Sequence, residues 1–335
     1  MQSGPAASQG LRSVLWALVV LVLAHSAQAK PPQYSEELPA DARLAPLRTH
    51  TLQLPYLDDS LLSRWFDYGG DTVVRTDKYV RLTADRPGQA GWIFSRLPLT
   101  APNFQIEFEF KISGKGNLYG DGMAMWLTRQ RATAGTVFGG PDYFDGLGLF
   151  IDTYKNNRPG VAFPYVMLMS GNGQTRYSNE DDGKANEING CSARGLHNAQ
   201  FNSRARFTYV KDRFVKLELM YREEGKWVEC FTVPNVALPN APYLGFSAAT
   251  GELSENHDLV SVDVSTVYMP AGGAGGPQPG GNVAAPAARS PKPRSSFLGW
   301  LWYLTKLGLG IGACFFGYLK YKEYKAKQRS NDVFF

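Results

Sequence analysis

The sequence has no heptad repeat and no internal repeat, and no long helical periodicity interrupts residues 47–270. These absences exclude a coiled-coil oligomeriser and a repeat protein. The sequence also lacks an Asn-x-Ser/Thr site, so we expect the chain to carry no N-linked glycan. Its formal net charge of +5 is not arranged as a basic stripe, and much of the basic excess follows residue 319. Nucleic acid is therefore not expected as a partner.

Two apolar runs near the ends of the chain predict its topology. Residues 1–29 combine an arginine, an apolar core and small residues at the cleavage site, which is typical of a signal peptide. Residues 297–319 form an apolar run of 23 residues, long enough to cross a bilayer core of about 30 Å as a single transmembrane helix. Residues 320–335 are basic and are expected to form a cytoplasmic tail, which places the N-terminal bulk in the lumen.

Two further segments have compositions that do not favour a packed core. Residues 30–46 are Pro-rich and polar, which indicates a flexible N-terminal arm. Residues 271–296 are rich in Gly and Pro with few large apolar groups, which indicates a stalk. Residues 47–270 remain as one domain, within the size range of a single large sandwich or barrel.

The hydrophobic pattern of this domain predicts strands. Residues 104–112 alternate apolar and polar side chains, as a half-buried strand does. Residues 123–127 and 147–151 are continuous apolar runs, which favour strands buried on both faces. The predicted fold class is therefore all-β, an antiparallel β-sandwich of jelly-roll type, followed by the C-terminal transmembrane helix.

The chain has three cysteines, and their positions predict one disulfide. Cys314 lies within the predicted transmembrane helix. Cys191 and Cys230 are the only lumenal pair, and an oxidising compartment favours a bond between them.

A set of oxygen-bearing side chains predicts a cation site beside a sugar site. Asp121 lies between two glycines, and Asp152 and Asn156 flank Tyr154 in a single turn. Asp182 can add a further carboxylate from another loop. Calcium takes six to eight oxygen ligands from carboxylates, amides, carbonyls and water. These residues favour a carbohydrate-binding domain over an enzyme.

An enzymatic interpretation also starts from paired carboxylates. Glu107 and Glu109 share one strand face and resemble the carboxylate pair of a sandwich glycosidase. Ile106, Phe108 and Phe110 take the other face of the strand, which favours a solvated outer position for the two glutamates.

Several motifs in order and spacing resemble the L-type lectins, specifically the intracellular membrane branch that carries glycoproteins between the endoplasmic reticulum and the Golgi. The resemblance covers residues 50–270, and its motifs are residues 65–70, 118–126, 137–139, 144–154 and 248–258. It implies a concanavalin-like sandwich with a calcium-dependent mannose site and no catalytic residues.

The resemblance also assigns a role to each site residue. Asp121 accepts hydrogen bonds from sugar hydroxyls, and Asn156 donates one to the sugar while ligating the ion. The loop formed by Gly251, Glu252 and Leu253 offers backbone amides. The cation shell of one structural calcium is Asp152, Asn156, Asp182 and the carbonyl of Tyr154.

Three positions depart from the family pattern. Asn179 stands where the family usually has a histidine beside the metal, so we expect a weak response to pH, with release following a fall in calcium. Trp92 replaces a small polar residue that touches the sugar, which alters the rim of the pocket. Lys155 replaces an acidic residue that in some members helps to bind a second ion, so we expect one ion.

The tail resembles that of cargo receptors. Phe334 and Phe335 end the chain and resemble the signal that engages the COPII coat for exit from the endoplasmic reticulum. Gly308 and Gly312 form a GxxxG pair in the predicted transmembrane helix, where they can support a homo-oligomer.

Three functions follow from these patterns. The first is a type I membrane lectin that binds high-mannose N-glycans and carries glycoproteins from the endoplasmic reticulum through the ER–Golgi intermediate compartment to the Golgi. The second is a membrane-tethered glycoside hydrolase or transferase on the same fold. The third is a scaffold or adhesion sandwich that has lost sugar binding.

Overall fold

The computed structural model describes residues 36–270 and, further on, the helical residues 316, 319, 320 and 322. The chain divides into two units, Met1–Pro277 and Gln278–Phe335. Among the described residues, none of the helices combines the length and hydropathy needed to cross a bilayer. The predicted signal peptide, the stalk, most of the predicted transmembrane helix, and Phe334 and Phe335 lie outside the described residues.

Within residues 36–270 the chain forms fifteen strands: β1 Arg43–Pro46, β2 Phe66–Gly70, β3 Val73–Arg75, β4 Tyr79–Thr83, β5 Ala90–Ser95, β6 Asn103–Ser113, β7 Gly122–Thr128, β8 Asp145–Asp152, β9 Tyr165–Asn172, β10 Glu187–Ser192, β11 Ser203–Val210, β12 Phe214–Met220, β13 Val228–Pro234, β14 Tyr243–Ala249 and β15 Asn256–Tyr268. Short 3₁₀ helices cover Arg48–His50, Asn179–Asp181 and Lys184–Asn186.

The strands form two antiparallel sheets. One has eight strands in the order β13-β12-β11-β6-β15-β4-β3, with β1 paired to β15. The other has seven strands in the order β10-β9-β8-β7-β14-β5-β2. Apolar side chains from both sheets form one large core cluster between them. The predicted all-β sandwich of antiparallel sheets is confirmed.

Alternation along β6 separates the core from the solvent. Its even-numbered apolar side chains are buried, whereas Glu107 and Glu109 lie on the opposite face. Glu107 pairs with Arg204 at 2.6 Å and with Arg206 at 3.1 Å on the neighbouring strand. The two glutamates therefore belong to an ion-paired outer face, as the sequence pattern indicates.

The central strands of the seven-stranded sheet are buried on both sides. Every residue of β7 is buried, and β8 is buried from its second residue onward. One face packs in the sandwich core, and the other packs in a second apolar cluster that includes Trp126, Phe138 and Phe150. The continuous apolar runs are thus explained by a covered outer face.

The ordered domain begins earlier than the alternation pattern indicates. Arg43–Pro46 is strand β1, although the sequence places these residues in the flexible arm 30–46. The strand pairs with the C-terminal part of β15, where Arg43 lies opposite Tyr268 and Pro46 opposite Ser265. Its residues are mostly exposed, so backbone pairing rather than an apolar face holds it in place.

The predicted disulfide between Cys191 and Cys230 is confirmed, with Cα atoms 5.4 Å apart and a sequence separation of 39. Cys191 lies on β10 and Cys230 on β13, the edge strands of the two sheets at the same end of the sandwich. The bond therefore joins one sheet to the other.

Replacing both cysteines with serine is expected to lower stability, because the bond restricts the unfolded chain. The loss is about 3 to 4 kcal/mol in the chain-entropy model, or roughly 6 to 16 °C in the unfolding midpoint. Thermal unfolding of the wild type and the double serine variant, each with and without a reductant, checks this. The reductant should lower the midpoint of the wild type only; equal midpoints for the two oxidised proteins would contradict the expectation.

Candidate functional site

The site forms at one edge of the seven-stranded sheet, where β7, β8 and β14 begin or end. Gly122 at the start of β7 lies opposite Asp152 on one side and Ala249 on the other. The residue before β7 and the loops after β8 and β14 are therefore brought together. This register explains how positions 121, 152 and 251, far apart in sequence, meet in space.

Asp121 is fixed by its backbone. Its N–H donates to the carbonyl of Ala249 at 3.1 Å, and its carbonyl accepts from the N–H of Thr153 at 3.0 Å. The Gly120–Asp121 peptide bond is cis. Gly251 lies against the carboxylate, since a Cβ on Gly251 would be 3.1 Å from Oδ1. Burial raises the pKa of Asp121, with a further contribution from Glu255.

Asp152 is a buried carboxylate at the end of β8, with 4% of its surface exposed. Its Oδ1 accepts from the backbone N–H of Tyr154 at 3.1 Å, and its Oδ2 accepts from the Tyr177 hydroxyl at 3.4 Å. Burial raises the pKa of Asp152 well above its usual range, and the charges of Asp182 and Asp121 raise it further. A bound cation would relieve this unfavourable charge.

Asp182 and Asn156 are in direct contact. Asp182 is 1% exposed and has a left-handed backbone with φ of 52°. Its carboxylate accepts from the backbone N–H of Asn156 at 3.2 Å and from Nδ2 of the same residue at 2.6 Å. The buried Arg158 donates to the backbone carbonyl of Asp182 at 3.4 Å, which leaves the carboxylate facing Asn156.

These residues surround a cleft of about 120 Å³, lined by Asp121, Thr136, Phe138, Asp152, Tyr154, Asn156, Tyr177 and Asn179. Asp182 joins the cleft through Asn156, and Gly251 through Asp121. Glu252 and Leu253 follow on the same loop but are not among the lining residues. Their predicted amide contacts stay a prediction.

The comparisons with known proteins agree with this architecture. A family model described as the legume-like lectin family matches residues 44–271. The chain belongs to the legume-like lectin family. The resemblance seen in its motifs is thereby confirmed.

Three proteins illustrate what this legume-like lectin is similar to. An L-type lectin-like domain-containing protein of Schizosaccharomyces pombe is 40% identical over 232 residues, covering 69% of this chain and 74% of that protein. The VIP36-like protein of Bos taurus is 39% identical over 227 residues, covering 64% of this chain but only 62% of that protein. The solved exoplasmic/lumenal domain of VIP36 in its Ca2+/Man-bound form is 32% identical with a TM-score of 0.65, covering 68% of this chain and 94% of that one.

The three departures from the family pattern occupy different places. Asn179 lines the cleft, and its expected position beside a metal stays a prediction. Lys155 is exposed, and its Nζ donates to the carbonyl of Val161 at 3.3 Å. Trp92 is not among the lining residues; its indole lies over Gly69, where an added Cβ would be 2.4 Å from the ring.

Sequence reasoning missed three residues that line the cleft of this legume-like lectin: Thr136, Phe138 and Tyr177. Phe138 lies in one of the motifs of the resemblance but was given no role. Tyr177 contacts Asp152 directly. Burial raises the pKa of Tyr177, and the charges of Asp152 and Asp182 raise it further. The aromatic character of Phe138 and Tyr177 was the available signal, but it does not distinguish a cleft from a core, and Thr136 gave no signal.

The donor set fits a hard cation in chemistry. Among the described residues there is no group of three or more His, Cys, Asp or Glu side chains that could hold a metal ion. The candidate set has two carboxylates, Asp152 and Asp182, completed by the amide of Asn156 and the carbonyl of Tyr154. Oxygen donors of mixed charge are the ligands that calcium takes in proteins.

Proposed function

We propose that this chain is a cation-dependent lectin that binds mannose-rich N-glycans and acts as a cargo receptor for glycoproteins. The observation that carries the proposal is that Asp121, Asp152 and Asn156 line one cleft, with Asp182 bound to Asn156. A related domain, that of VIP36, is described as Ca2+/Man-bound, which supports both the ion and the sugar.

The cation is proposed to be one calcium ion held by Asp152, Asp182, Asn156 and the carbonyl of Tyr154. Bound there, it supplies positive charge that offsets the two buried carboxylates and stiffens the loop after β8. Asn156 donates Nδ2 to Asp182 at 2.6 Å; as a cation ligand it would offer its side-chain oxygen instead. Its N–H groups then become available to the sugar.

The sugar is proposed to sit beside Asp121. A pyranose offers vicinal hydroxyls. The carboxylate of Asp121 can accept hydrogen bonds from them, while the backbone amides of Gly251, Glu252 and Leu253 donate hydrogen bonds to sugar oxygens. About four net hydrogen bonds of about 1 kcal/mol each correspond to an affinity near millimolar. Retention of cargo therefore depends on several glycan arms or several clustered receptors.

The remaining proposals concern parts of the chain outside the described residues. We propose a single-pass type I protein of the endoplasmic reticulum, ER–Golgi intermediate compartment and Golgi membranes, with its lectin domain in the lumen. Phe334 and Phe335 would engage the COPII coat, and Gly308 and Gly312 would support a homo-oligomer. The type I topology places the sugar site on the same side as newly made glycoproteins.

A glycan array probed with the purified full-length chain tests the proposal. We expect binding to mannose-rich glycans in calcium, its loss in chelator, and no release of sugar from the array. Glu109→Gln on the outer face of the other sheet should bind like the wild type. Released sugar would favour the hydrolase, and absence of binding in calcium would favour the scaffold.

A further inference from the structure

A buried polar cluster lies beside the cleft and is not used in the proposed binding of cation or sugar. Its centre is Glu255, whose side chain is fully buried. Around it lie Thr83, Thr153, His197 and His257. A buried carboxylate is costly unless it is hydrogen-bonded, so its contacts reveal what keeps it there.

The first contact of Glu255 reaches the cation side of the cleft. The hydroxyl of Thr153 donates to Oε1 of Glu255. Thr153 lies between Asp152 and Tyr154, two residues of the candidate cation set, and its backbone N–H donates to the carbonyl of Asp121 at 3.0 Å. Glu255 therefore holds the turn that carries the cation ligands.

The second contact reaches the sugar side. Nε2 of His197 lies 3.5 Å from Oε2 of Glu255, and both atoms are buried without a hydrogen-bond partner. The His197 ring stacks on Tyr119, with ring centres 3.5 Å apart and planes 8° apart. Tyr119 is two residues before Asp121, so this stack supports the segment that presents the sugar-binding carboxylate.

The third contact anchors Glu255 itself. Nε2 of His257 lies 3.1 Å from Oε1 of Glu255, and Nδ1 of the same ring lies 2.7 Å from the Thr83 hydroxyl, which donates to the backbone carbonyl of Glu255 at 3.3 Å. Both ring nitrogens of His257 are therefore in polar contact. Glu255 also follows Gly251 by only four residues, so it is tied to the third segment of the site.

We propose that Glu255 is a positioning residue of the saccharide site, which joins its three segments and loosens them when His197 is protonated. The proposal rests on the proposed function, since it assigns a role within the same site. Glu255 does not touch the cation or the sugar; it acts through Thr153 and through the stack of His197 on Tyr119.

The expected weakening of saccharide binding at low pH follows from Nε2 of His197 and Oε2 of Glu255, which have no hydrogen-bond partner. Burial lowers the pKa of His197; Glu255 and Asp85 oppose this, while His257 adds to it. His197 is therefore neutral at neutral pH and is protonated only below its usual value of about 6.5. A protonated His197 donates to Oε2 of Glu255 and draws the carboxylate away from Thr153. The site should weaken in acid, although Asn179 cannot titrate.

Paired variants at Thr153 test the positioning role. Calorimetry on the full-length chain with calcium chloride, and then with methyl α-mannoside, measures both affinities. Thr153→Val removes the hydroxyl that Glu255 holds, and both affinities should fall about tenfold. Thr153→Ser keeps the hydroxyl and should stay within about twofold. Wild-type affinities in Thr153→Val, or an equal loss in both variants, would overturn the proposal.

The variant Glu255→Gln tests the acid response. The amide keeps an oxygen for Thr153 and offers an N–H to His197, but it has no charge for a protonated ring to attract. Mannoside affinity of the wild type should be flat down to about pH 6.5 and fall several-fold toward about pH 5. Glu255→Gln, compared with its own affinity at neutral pH, should show a much smaller fall. An unchanged pH profile in Glu255→Gln would refute the role of the pair.

Hydrogen exchange separates this proposal from the proposed function. If the wild type binds neither calcium nor mannoside, the lectin function fails, and the amides at positions 152–156 still report on positioning. Thr153→Val should then exchange these amides at least about tenfold faster than Thr153→Ser does. Equal exchange in the two variants would overturn the positioning role by itself.

Discussion

Replacing Asp152 with asparagine is expected to abolish calcium-dependent mannose binding and to stabilise the metal-free protein. Asp152 is buried, and its pKa is raised well above the usual range by burial and by the nearby Asp182 and Asp121. When the pKa of a carboxyl group is higher in the folded protein than in the unfolded chain, where it is about 3.8, the free energy of unfolding falls as the pH rises above 3.8. Asparagine fills the same space and does not ionise, so this cost disappears.

Thermal unfolding near neutral pH, with and without calcium, measures both effects. At a calcium concentration about 100 times its Kd, the wild type should gain about 2.7 kcal/mol, or roughly 5 to 10 °C. Asp152→Asn should start higher without calcium and gain nothing from it. Asp145→Asn is the matched control, because Asp145 lies at the other end of β8 in a surface pair with Arg129. A calcium-dependent gain in Asp152→Asn would show that the ion binds elsewhere.

Asp121→Asn is expected to lose mannose binding while keeping calcium. The carboxylate of Asp121 lies in the cleft against Gly251 but is not in the candidate cation set. At about 1 kcal/mol for each hydrogen bond, losing two should weaken mannoside binding by about 30-fold. Calcium affinity should stay within about threefold.

Calorimetric titration with calcium chloride, followed by methyl α-mannoside, separates the two affinities. Glu109→Gln serves as the control, since Glu109 lies on the outer face of the eight-stranded sheet. Equal losses of calcium and mannoside affinity in Asp121→Asn would place Asp121 among the cation ligands. Unchanged mannoside affinity would remove it from the sugar site.

The sequence predicted the strands wherever burial imposes a simple period. The alternation in β6 and the continuous apolar runs in β7 and β8 reflect one covered face and two covered faces, respectively. Strand β1 escaped prediction because its pairing to β15 depends on backbone hydrogen bonds, which leave no hydrophobic period. The second apolar cluster was also missed, since the segment that covers β7 and β8 has no regular pattern.

Site residues that lie in recognisable motifs could be predicted from the sequence. Residues whose role depends on tertiary contacts could not. Asp121, Asp152 and Asn156 were chosen from oxygen chemistry and motif resemblance, and they line one cleft. Glu255 lies in the motif at residues 248–258 but was given no role. Its importance comes from contacts with Thr153, which is 102 positions away in sequence, and with His197, which is 58 positions away. No local period in the sequence reports such contacts.

The bond between Cys191 and Cys230 has a consequence for self-association. Strands β10 and β13 each have one neighbour in their sheets, so their outer backbone groups are templates for strand addition. The disulfide joins these two edge strands to each other at the same end of the sandwich. In a chain without this bond we expect the two edge strands to be held together less firmly and to pair more readily with strands of other chains.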